Sequence, residues 1–160
     1  AGFVDNVYSV NKPDLPLNAY YNLSSFKIYM NDVGLLRSKC GVERVLGSEG
    51  IFNEFRGAFA ENYVYQSLIA NGFIPRYWKD NMHEMDFLIQ LKENVYPVEV
   101  KSGKSVKSAS MRAFDDKYNP GILICASNKN LSYDGNVLNI PIYLMDYVDK
   151  FIKLVSDRSI

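Results

Sequence analysis

The sequence is poor in histidine and cysteine and carries no net charge. His83 is its one histidine, and Cys40 and Cys125 are its two cysteines, among 160 residues. A single histidine leaves few zinc-site or Ser-His-Asp arrangements open, and we expect His83 to be a turn residue rather than a catalytic base. Lysine plus arginine and aspartate plus glutamate both number 18. This balance excludes a globally basic nucleic-acid binder, although it allows a local basic groove.

Long apolar runs are also missing from the sequence. No run of about 18 apolar residues is present, so we expect no membrane-spanning helix and no membrane partner. The first residues do not resemble a secretory leader, and they lead us to expect that the chain is a piece of a longer protein. Two cysteines without a leader are typical of a reducing compartment, which predicts free thiols and a cytoplasmic location.

The apolar residues that are present, 48% of the chain, are enough for one core. We divide the sequence into a β-rich N-terminal segment with a linker, residues 1–50, and one main domain, residues 51–160. The hydrophobic patterns and turn signals predict strands at 4–10 and 26–30, a turn at 31–34, a mobile connection at 37–50, a helix at 51–71, strands at 75–79, 84–91 and 95–101, a helix at 108–118, strands at 122–126 and 137–145, and a last helix at 147–155 capped by Asp146. Helices between strands require crossovers, so the predicted fold class is α/β, a mixed sheet flanked by helices.

Three acidic residues lie at positions where a carboxylate is costly. Glu61 shares a helix face with small and apolar residues that should pack on the sheet, namely Gly57, Ala58, Val64, Tyr65 and Leu68. Asp86 and Glu99 each lie in the middle of a predicted strand. An unpaired buried carboxylate costs several kcal/mol, so these acids need a cation, a partner lysine or a shifted pKa.

The spacing of the two strands decides which of these groups can meet. A turn formed by Lys92 and Glu93 would place Asp86 directly opposite Glu99, while strict alternation puts Asp86 on the face of Leu88. Two facing carboxylates repel unless a divalent cation bridges them, and oxygen ligands favour magnesium or manganese. Two alternatives stay open. Glu99 and Lys101 would form a simple ion pair, and Glu84 would be either a solvated strand end or an outer-shell ligand.

Asp86 followed by Glu99-Val-Lys101 resembles the signature of the PD-(D/E)xK nuclease superfamily, and Glu61 matches the first acidic position of that superfamily. Met85 stands where the signature has proline. The resemblance implies a restriction-endonuclease-like core. It also implies that Asp86, Glu99 and Glu61 hold Mg²⁺ or Mn²⁺ when the metal is added, and that Lys101 orients the attacking water or stabilises the developing charge.

A closer resemblance extends over nearly the whole chain. The matching segments, in order, are residues 27–36 (KIYMNDVGLL), 57–62 (GAFAEN), 77–78 (YW), 84–87 (EMDF) and 98–102 (VEVKS). Together they are similar to the nuclease-like C-terminal domain of archaeal-type AAA ATPases, a domain of unknown function. The resemblance implies an upstream ATPase module and a winged helix that ends within residues 1–34. Residues 103–105 look like the tail of a P-loop, but Val98 stands where that loop requires glycine, so we expect no nucleotide in this chain.

Two functions of different classes follow. The first is a metal-dependent nuclease that acts on DNA, with RNA as the less favoured substrate, in which Lys104, Lys107 and Arg112 contact flanking phosphates. The second is a catalytically silent module that couples the ATPase to a partner or to an oligomer. Tyr77 and Trp78 are candidates to stack on bases, although we expect Trp78 to lie in the core. An open groove beside Asp86 and Glu99 would favour the nuclease, and a groove filled by residues 1–50 would favour the module.

Overall fold

The computed structural model of the chain describes residues 2–41, 49–103 and 108–157, with the backbone alone for residues 49–54. Its eight strands form one sheet in the order β2-β1-β3-β4-β5-β6-β8-β7. The strands are β1 (Val4–Val10), β2 (Tyr21–Met30), β3 (Arg76–Lys79), β4 (Glu84–Leu91), β5 (Asn94–Lys101), β6 (Leu123–Ser127), β7 (Ser132–Asp134) and β8 (Val137–Pro141). The helices are α1 (Val33–Lys39), α2 (Glu49–Ala70), α3 (Ala109–Tyr118) and α4 (Val148–Ser156), with shorter 3-10 segments at Leu17–Ala19 and Ile142–Tyr147.

The sheet is mixed, which confirms the predicted α/β class with flanking helices and a β-rich N-terminal segment. The pairs β1–β3, β5–β6 and β6–β8 are parallel, and the other neighbouring pairs are antiparallel. The parallel pairs β1–β3 and β5–β6 enclose α2 and α3 in their connections, as crossovers require. Strand β1 pairs with β3 through Ser9 and Val10, so the first two strands extend the same sheet. The division at residue 50 stays a prediction.

Two apolar cores cover the two faces of the sheet. On the face that we call the α2 side, Val64, Tyr65 and Leu68 of the predicted stripe are buried, whereas Gly57 and Ala58 are exposed, so the packing face of Glu61 is confirmed only for its C-terminal part. On the opposite face, the α3 side, Trp78 and Cys125 are buried. Trp78 is therefore a core residue, as predicted, and both cysteines are free thiols.

The ends of α2 and α3 follow the predicted signals. Gly72 has a φ of +80°, and its N–H donates to the Ile69 carbonyl, so glycine supplies the left-handed residue that ends α2. Ser108 caps α3, because its hydroxyl accepts from the N–H of Met111 at 3.3 Å. None of the helices in the described ranges is long and apolar enough to cross a membrane.

Four local predictions are wrong. The turn predicted at 31–34 is the start of α1, where Asp32 accepts from the N–H of Leu35 at 2.7 Å. Of the predicted connection at 37–50, the first residues belong to α1, and residues 42–48 lie outside the described residues. The strand predicted to reach residue 145 ends at Pro141, and Asp146 does not cap α4, which begins after Tyr147 without a side-chain cap. Strand β7 was not predicted.

Candidate active site

The hairpin of β4 and β5 has the register that the sequence predicts. Leu91 pairs with Asn94, so Lys92 and Glu93 form the turn, and Lys92 adopts a φ of 55° there. The ladder continues to Phe87 opposite Val98 and stops. The predicted turn and register are confirmed, and the next pair of positions would be Asp86 and Glu99, but the ladder does not include it. The prediction that the two carboxylates face each other is not confirmed, because Asp86 contacts Lys27 and Glu99 contacts Lys101 on opposite faces of the sheet.

The two strands separate beyond Phe87 and Val98, and we call this place the strand split. Here the N–H of Val100 donates to Asp86 Oδ2 at 2.8 Å, whereas a regular ladder would use a backbone carbonyl of β4. Strand β5 continues alone with β6, with Glu99 beside Cys125. The Asp86 carboxyl group is therefore held in the split by the backbone of the neighbouring strand.

A bulge in β4 changes the face to which Asp86 belongs. Leu88 pairs with Arg76 and Met85 pairs with Trp78, so β4 has one residue more than β3 over this stretch. Met85 and Leu88 consequently lie in the same core on the α3 side. The prediction that Asp86 shares a face with Leu88 is therefore wrong, because the bulge turns Glu84 and Asp86 towards the α2 side.

On the α2 side, three carboxylates surround one lysine. The Lys27 Nζ atom lies 3.0 Å from Glu61 Oε1, 2.6 Å from Glu84 Oε1 and 3.5 Å from Asp86 Oδ1. The hydroxyl of Tyr29 also donates to Glu61 Oε1. Lys27 and Tyr29 are adjacent members of one face of β2, and neither was predicted as a site residue. The Glu84 carboxylate is not an isolated group in solvent, since it forms an ion pair with the Lys27 ammonium, which also contacts Glu61 and Asp86.

On the α3 side, Glu99 forms an ion pair with one lysine of the described residues, Lys101. Its Oε1 atom accepts from Lys101 Nζ at 2.6 Å and from Ser108 Oγ at 2.9 Å. The Glu99 side chain is only 5% exposed, whereas Lys101 is 32% exposed. Its second oxygen, Oε2, is buried and has no hydrogen-bond partner among the described residues. The predicted ion pair is therefore present, and it leaves one buried carboxylate oxygen without a partner.

The electrostatics of the split centre on Asp86. Burial, followed by the charges of Glu61 and Glu99, raises the pKa of Asp86 to about 7, while Lys27 and the Val100 N–H oppose this rise. Burial alone would lower the pKa of Lys27, but the charges of Glu61 and Asp86 outweigh it and raise the pKa. Lys27 therefore remains an ammonium ion at neutral pH, and Asp86 exchanges its proton near neutral pH.

The three expected metal ligands do not form one cluster. Within residues 2–41, 49–103 and 108–157, no group of three or more His, Cys, Asp or Glu residues is arranged to hold a metal ion. The geometry explains this result, since Glu61 is paired with Lys27 on the α2 side and Glu99 with Lys101 on the α3 side. Asp86 is the acid that interacts with both. Asp86 and Glu99 carry oxygen atoms of the kind that Mg²⁺ and Mn²⁺ prefer, and Glu99 Oε2 has no hydrogen-bond partner among the described residues.

Of the three basic residues expected to contact nucleic acid, the structure describes Arg112. Lys104 and Lys107 lie outside the described residues. Arg112 is exposed on the first turns of α3, and together with Ser108 and Asn139 it lines a groove of about 490 Å³. Tyr77 is buried and bonds the Ser25 hydroxyl at 2.7 Å, so its ring is not available to stack on a base. His83 lies in the turn after β3, where its N–H donates to Asp80, as expected of a turn residue.

Two of the sequence segments that resemble a known family lie against each other. The side-chain amide of Asn62 accepts from the Met30 N–H at 2.8 Å and donates to the Met30 carbonyl at 2.9 Å. Gln66 accepts from the Val33 N–H at 3.1 Å. Together with the Lys27–Glu61 pair, these bonds fasten β2 and the start of α1 to α2. Residues 27–36 and 57–62 are thus one structural unit around the acidic cluster.

A comparison with known proteins identifies one family. The model of a family described as a domain of unknown function, DUF4143, matches residues 56–145. This stretch contains Glu61, Asp86, Glu99 and Lys101, but not Lys27 or Tyr29. No curated protein and no solved structure matches the chain.

Proposed function

The chain belongs to the DUF4143 family, a domain of unknown function, and from the geometry of its site we propose that it is a divalent-metal-dependent phosphodiester hydrolase of the PD-(D/E)xK type that acts on DNA. The observation that carries this proposal is the buried Oε2 atom of Glu99, which has no hydrogen-bond partner among the described residues, on a carboxylate whose charge raises the pKa of Asp86. A buried carboxylate oxygen without a donor is costly, and a cation is the partner that removes this cost.

Each residue of the split has a separate role in this proposal. Asp86 and Glu99 would hold the cation, and a bound Mg²⁺ or Mn²⁺ lowers the pKa of its water and polarises a phosphate. The Val100 N–H orients Asp86, and Ser108 orients Glu99. The Lys101 ammonium, partly exposed beside Glu99, is available to orient a water or to stabilise negative charge on the phosphate. Glu61 acts indirectly from the α2 side, because its charge raises the pKa of Asp86 and its carboxylate pairs with Lys27.

The wider setting of the domain is also a proposal. The resemblance of the segments at 27–36, 57–62, 84–87 and 98–102, in this order, supports a place as the C-terminal, nuclease-like domain of an AAA-type ATPase. Arg112 would contact the phosphates of a DNA strand that lies in the groove beside Ser108. We favour DNA over RNA as the substrate.

A second function, a silent interaction module, is favoured by different observations. Lys27 already neutralises part of the acidic cluster without a metal. In addition, β2 is an edge strand that exposes Leu23, Phe26 and Ile28. An apolar edge strand is a surface to which the ATPase module or a second copy could dock.

The deciding experiment measures the binding of Mg²⁺ and Mn²⁺ by calorimetry at pH 8, where Asp86 is ionised. We expect the native chain to bind a divalent cation, and Asp86→Asn and Glu99→Gln to lose that binding. Asp116→Asn is the matched control, because Asp116 is an exposed acid two turns along α3 from Ser108. Cleavage of linear, single-stranded and branched DNA with the bound metal then tests the reaction. A native chain that binds no metal at millimolar concentration would overturn the nuclease and leave the interaction module.

A further inference from the structure

The ammonium of Lys27 lies where three separate elements bring their carboxylates together. Lys27 comes from β2, Glu61 comes from α2, and Glu84 and Asp86 come from β4. All three carboxylate oxygens are within 3.5 Å of Lys27 Nζ. Convergence of several carboxylates on one point is the arrangement that oxygen-ligated divalent cations require.

The geometry points to Lys27 as a resident cation of the site. Its ammonium fills the position that a divalent cation would otherwise take among Glu61, Glu84 and Asp86. It thereby limits the chain to one divalent cation, at Asp86 and Glu99. This inference rests on the proposed function for the ion at Asp86 and Glu99, and it adds the residue that sets how many metal ions the site takes.

The net charge of the site supports the binding of one divalent cation. Among the described residues, four carboxylates, those of Glu61, Glu84, Asp86 and Glu99, lie with two ammonium groups, those of Lys27 and Lys101. When all are ionised, the surplus is two negative charges, which one divalent cation balances. Loss of Lys27 raises the surplus to three negative charges, on the side of the site that has no other described lysine in contact.

Two further observations bear on access and on fit. A groove of about 380 Å³, lined by Lys27, Tyr29, Glu61 and Asn62, opens the α2 side to solvent and ions. The oxygens around Lys27 would have to move inward by about 0.5 to 1.5 Å to ligate Mg²⁺ or Mn²⁺ in its place. Glu84 is partly exposed and Glu61 is half-buried, so their side chains have the freedom for such a shift.

The test counts Mn²⁺ ions bound per chain by calorimetry at pH 8. Four proteins are compared: the native chain, Lys27→Met, Lys27→Arg, and Lys27→Met combined with Glu61→Gln and Glu84→Gln. We expect Lys27→Met to bind one more Mn²⁺ per chain than the native chain. The arginine variant should match the native count, because it keeps the positive charge, and the triple variant should lose the added ion. Thermal unfolding of Lys27→Met should shift upward with Mn²⁺ by more than that of the native chain.

The outcomes separate this inference from the proposed function. A native chain that binds no Mn²⁺ overturns the nuclease, while one bound ion in Lys27→Met still supports the role of Lys27. A folded Lys27→Met with the native count overturns the role of Lys27 and leaves the nuclease standing. If Lys27→Met is unfolded without metal, circular dichroism follows its folding with Mn²⁺. Recovery of the folded spectrum supports the inference, and a spectrum that stays unfolded at millimolar Mn²⁺ overturns it.

Discussion

The two sides of the strand split use the same chemistry, a lysine beside carboxylates, in different proportions. On the α2 side, one ammonium serves three carboxylates, and Glu84 is 43% exposed. On the α3 side, one ammonium serves Glu99 alone, which is almost completely buried. In the first group, solvent screens Glu84, whereas Asp86 is buried enough for its pKa to rise. In the second group, Glu99 is cut off from water while Lys101 is 32% exposed, so the Glu99 charge depends on a partner within the protein.

This difference explains why the Oε2 atom of Glu99, which has no hydrogen-bond partner among the described residues, is costly on the α3 side. Water can solvate a carboxylate oxygen on the α2 side when the lysine does not reach it. The Oε2 atom of Glu99 has no such access. The α3 side is therefore the side on which a bound cation would add the most stability.

The largest effect is expected from Lys101→Met, which removes the cation of the buried pair. Breaking a buried ion pair costs about 3 to 5 kcal/mol when the other charge stays ionised. Because Lys101 itself is partly exposed, we expect a loss of about 3 kcal/mol in the free energy of unfolding at pH 8. Urea denaturation at pH 8 measures this loss.

The matched control for Lys101→Met is Lys153→Met. Lys153 forms an exposed pair with Asp149 at 2.9 Å on α4, and pairs of this kind contribute about 0.3 to 0.5 kcal/mol. If Lys101→Met costs no more than this control at pH 8, the α3 side does not depend on a matched charge and the contrast between the two sides is wrong.

A smaller effect is expected from Asp86→Asn, and it concerns pH. The pKa of Asp86 is about 7 in the folded chain, above the value of about 3.9 in an unfolded chain. The folded state thus binds more protons than the unfolded state between these values, and its stability falls as the pH rises through this window. Asparagine removes this slope and can still accept from the Val100 N–H. From pH 5 to pH 8, we expect the variant to lose about 2 kcal/mol less than the native chain in urea denaturation.

An identical pH slope in the native chain and in Asp86→Asn would contradict this prediction. It would mean that Asp86 is as easily ionised in the split as in water, and that Lys27 and the Val100 N–H fully offset its burial. Asp116→Asn, an exposed acid on α3, is the control and should leave the slope unchanged.

The parts of the site that depend on local pattern were predictable from the sequence. The turn at Lys92 and Glu93 sets the register of β4 and β5, because a short turn between two strands leaves few alternative pairings of their residues. Ser108 at the start of α3 and Gly72 at the end of α2 are likewise local signals. Glu99 and Lys101 share a face by simple alternation, and their ion pair follows from it.

The partners of Glu61 could not be predicted in the same way. Strand β2 exposes Phe26 and Ile28 and turns Lys27 and Tyr29 inward, which reverses the usual rule that apolar side chains face the core. Lys27 also lies 34 residues from Glu61, with no local signal to connect them. The bulge in β4 is equally hidden, because one extra residue leaves no mark on a pattern of alternation. The signal that could have pointed to Lys27 is an edge strand whose apolar residues face outward and whose polar residues face inward, followed by a helix that carries an acid on its packing face.

The smallest effect is expected from Glu84→Gln, and it tests whether the α2 side is screened. Glu84 is the most exposed of the three carboxylates around Lys27, yet its contact of 2.6 Å is the shortest. If solvent screening decides its contribution, the variant should lose less than about 1 kcal/mol in the free energy of unfolding. Lys27 keeps two other carboxylates, so no charge is left without a partner. Glu93→Gln, in the exposed turn of the same hairpin, is the control. A loss from Glu84→Gln as large as that from Lys101→Met would show that distance and not exposure sets the strength of these pairs, because the shortest contact would then be among the strongest despite its access to water.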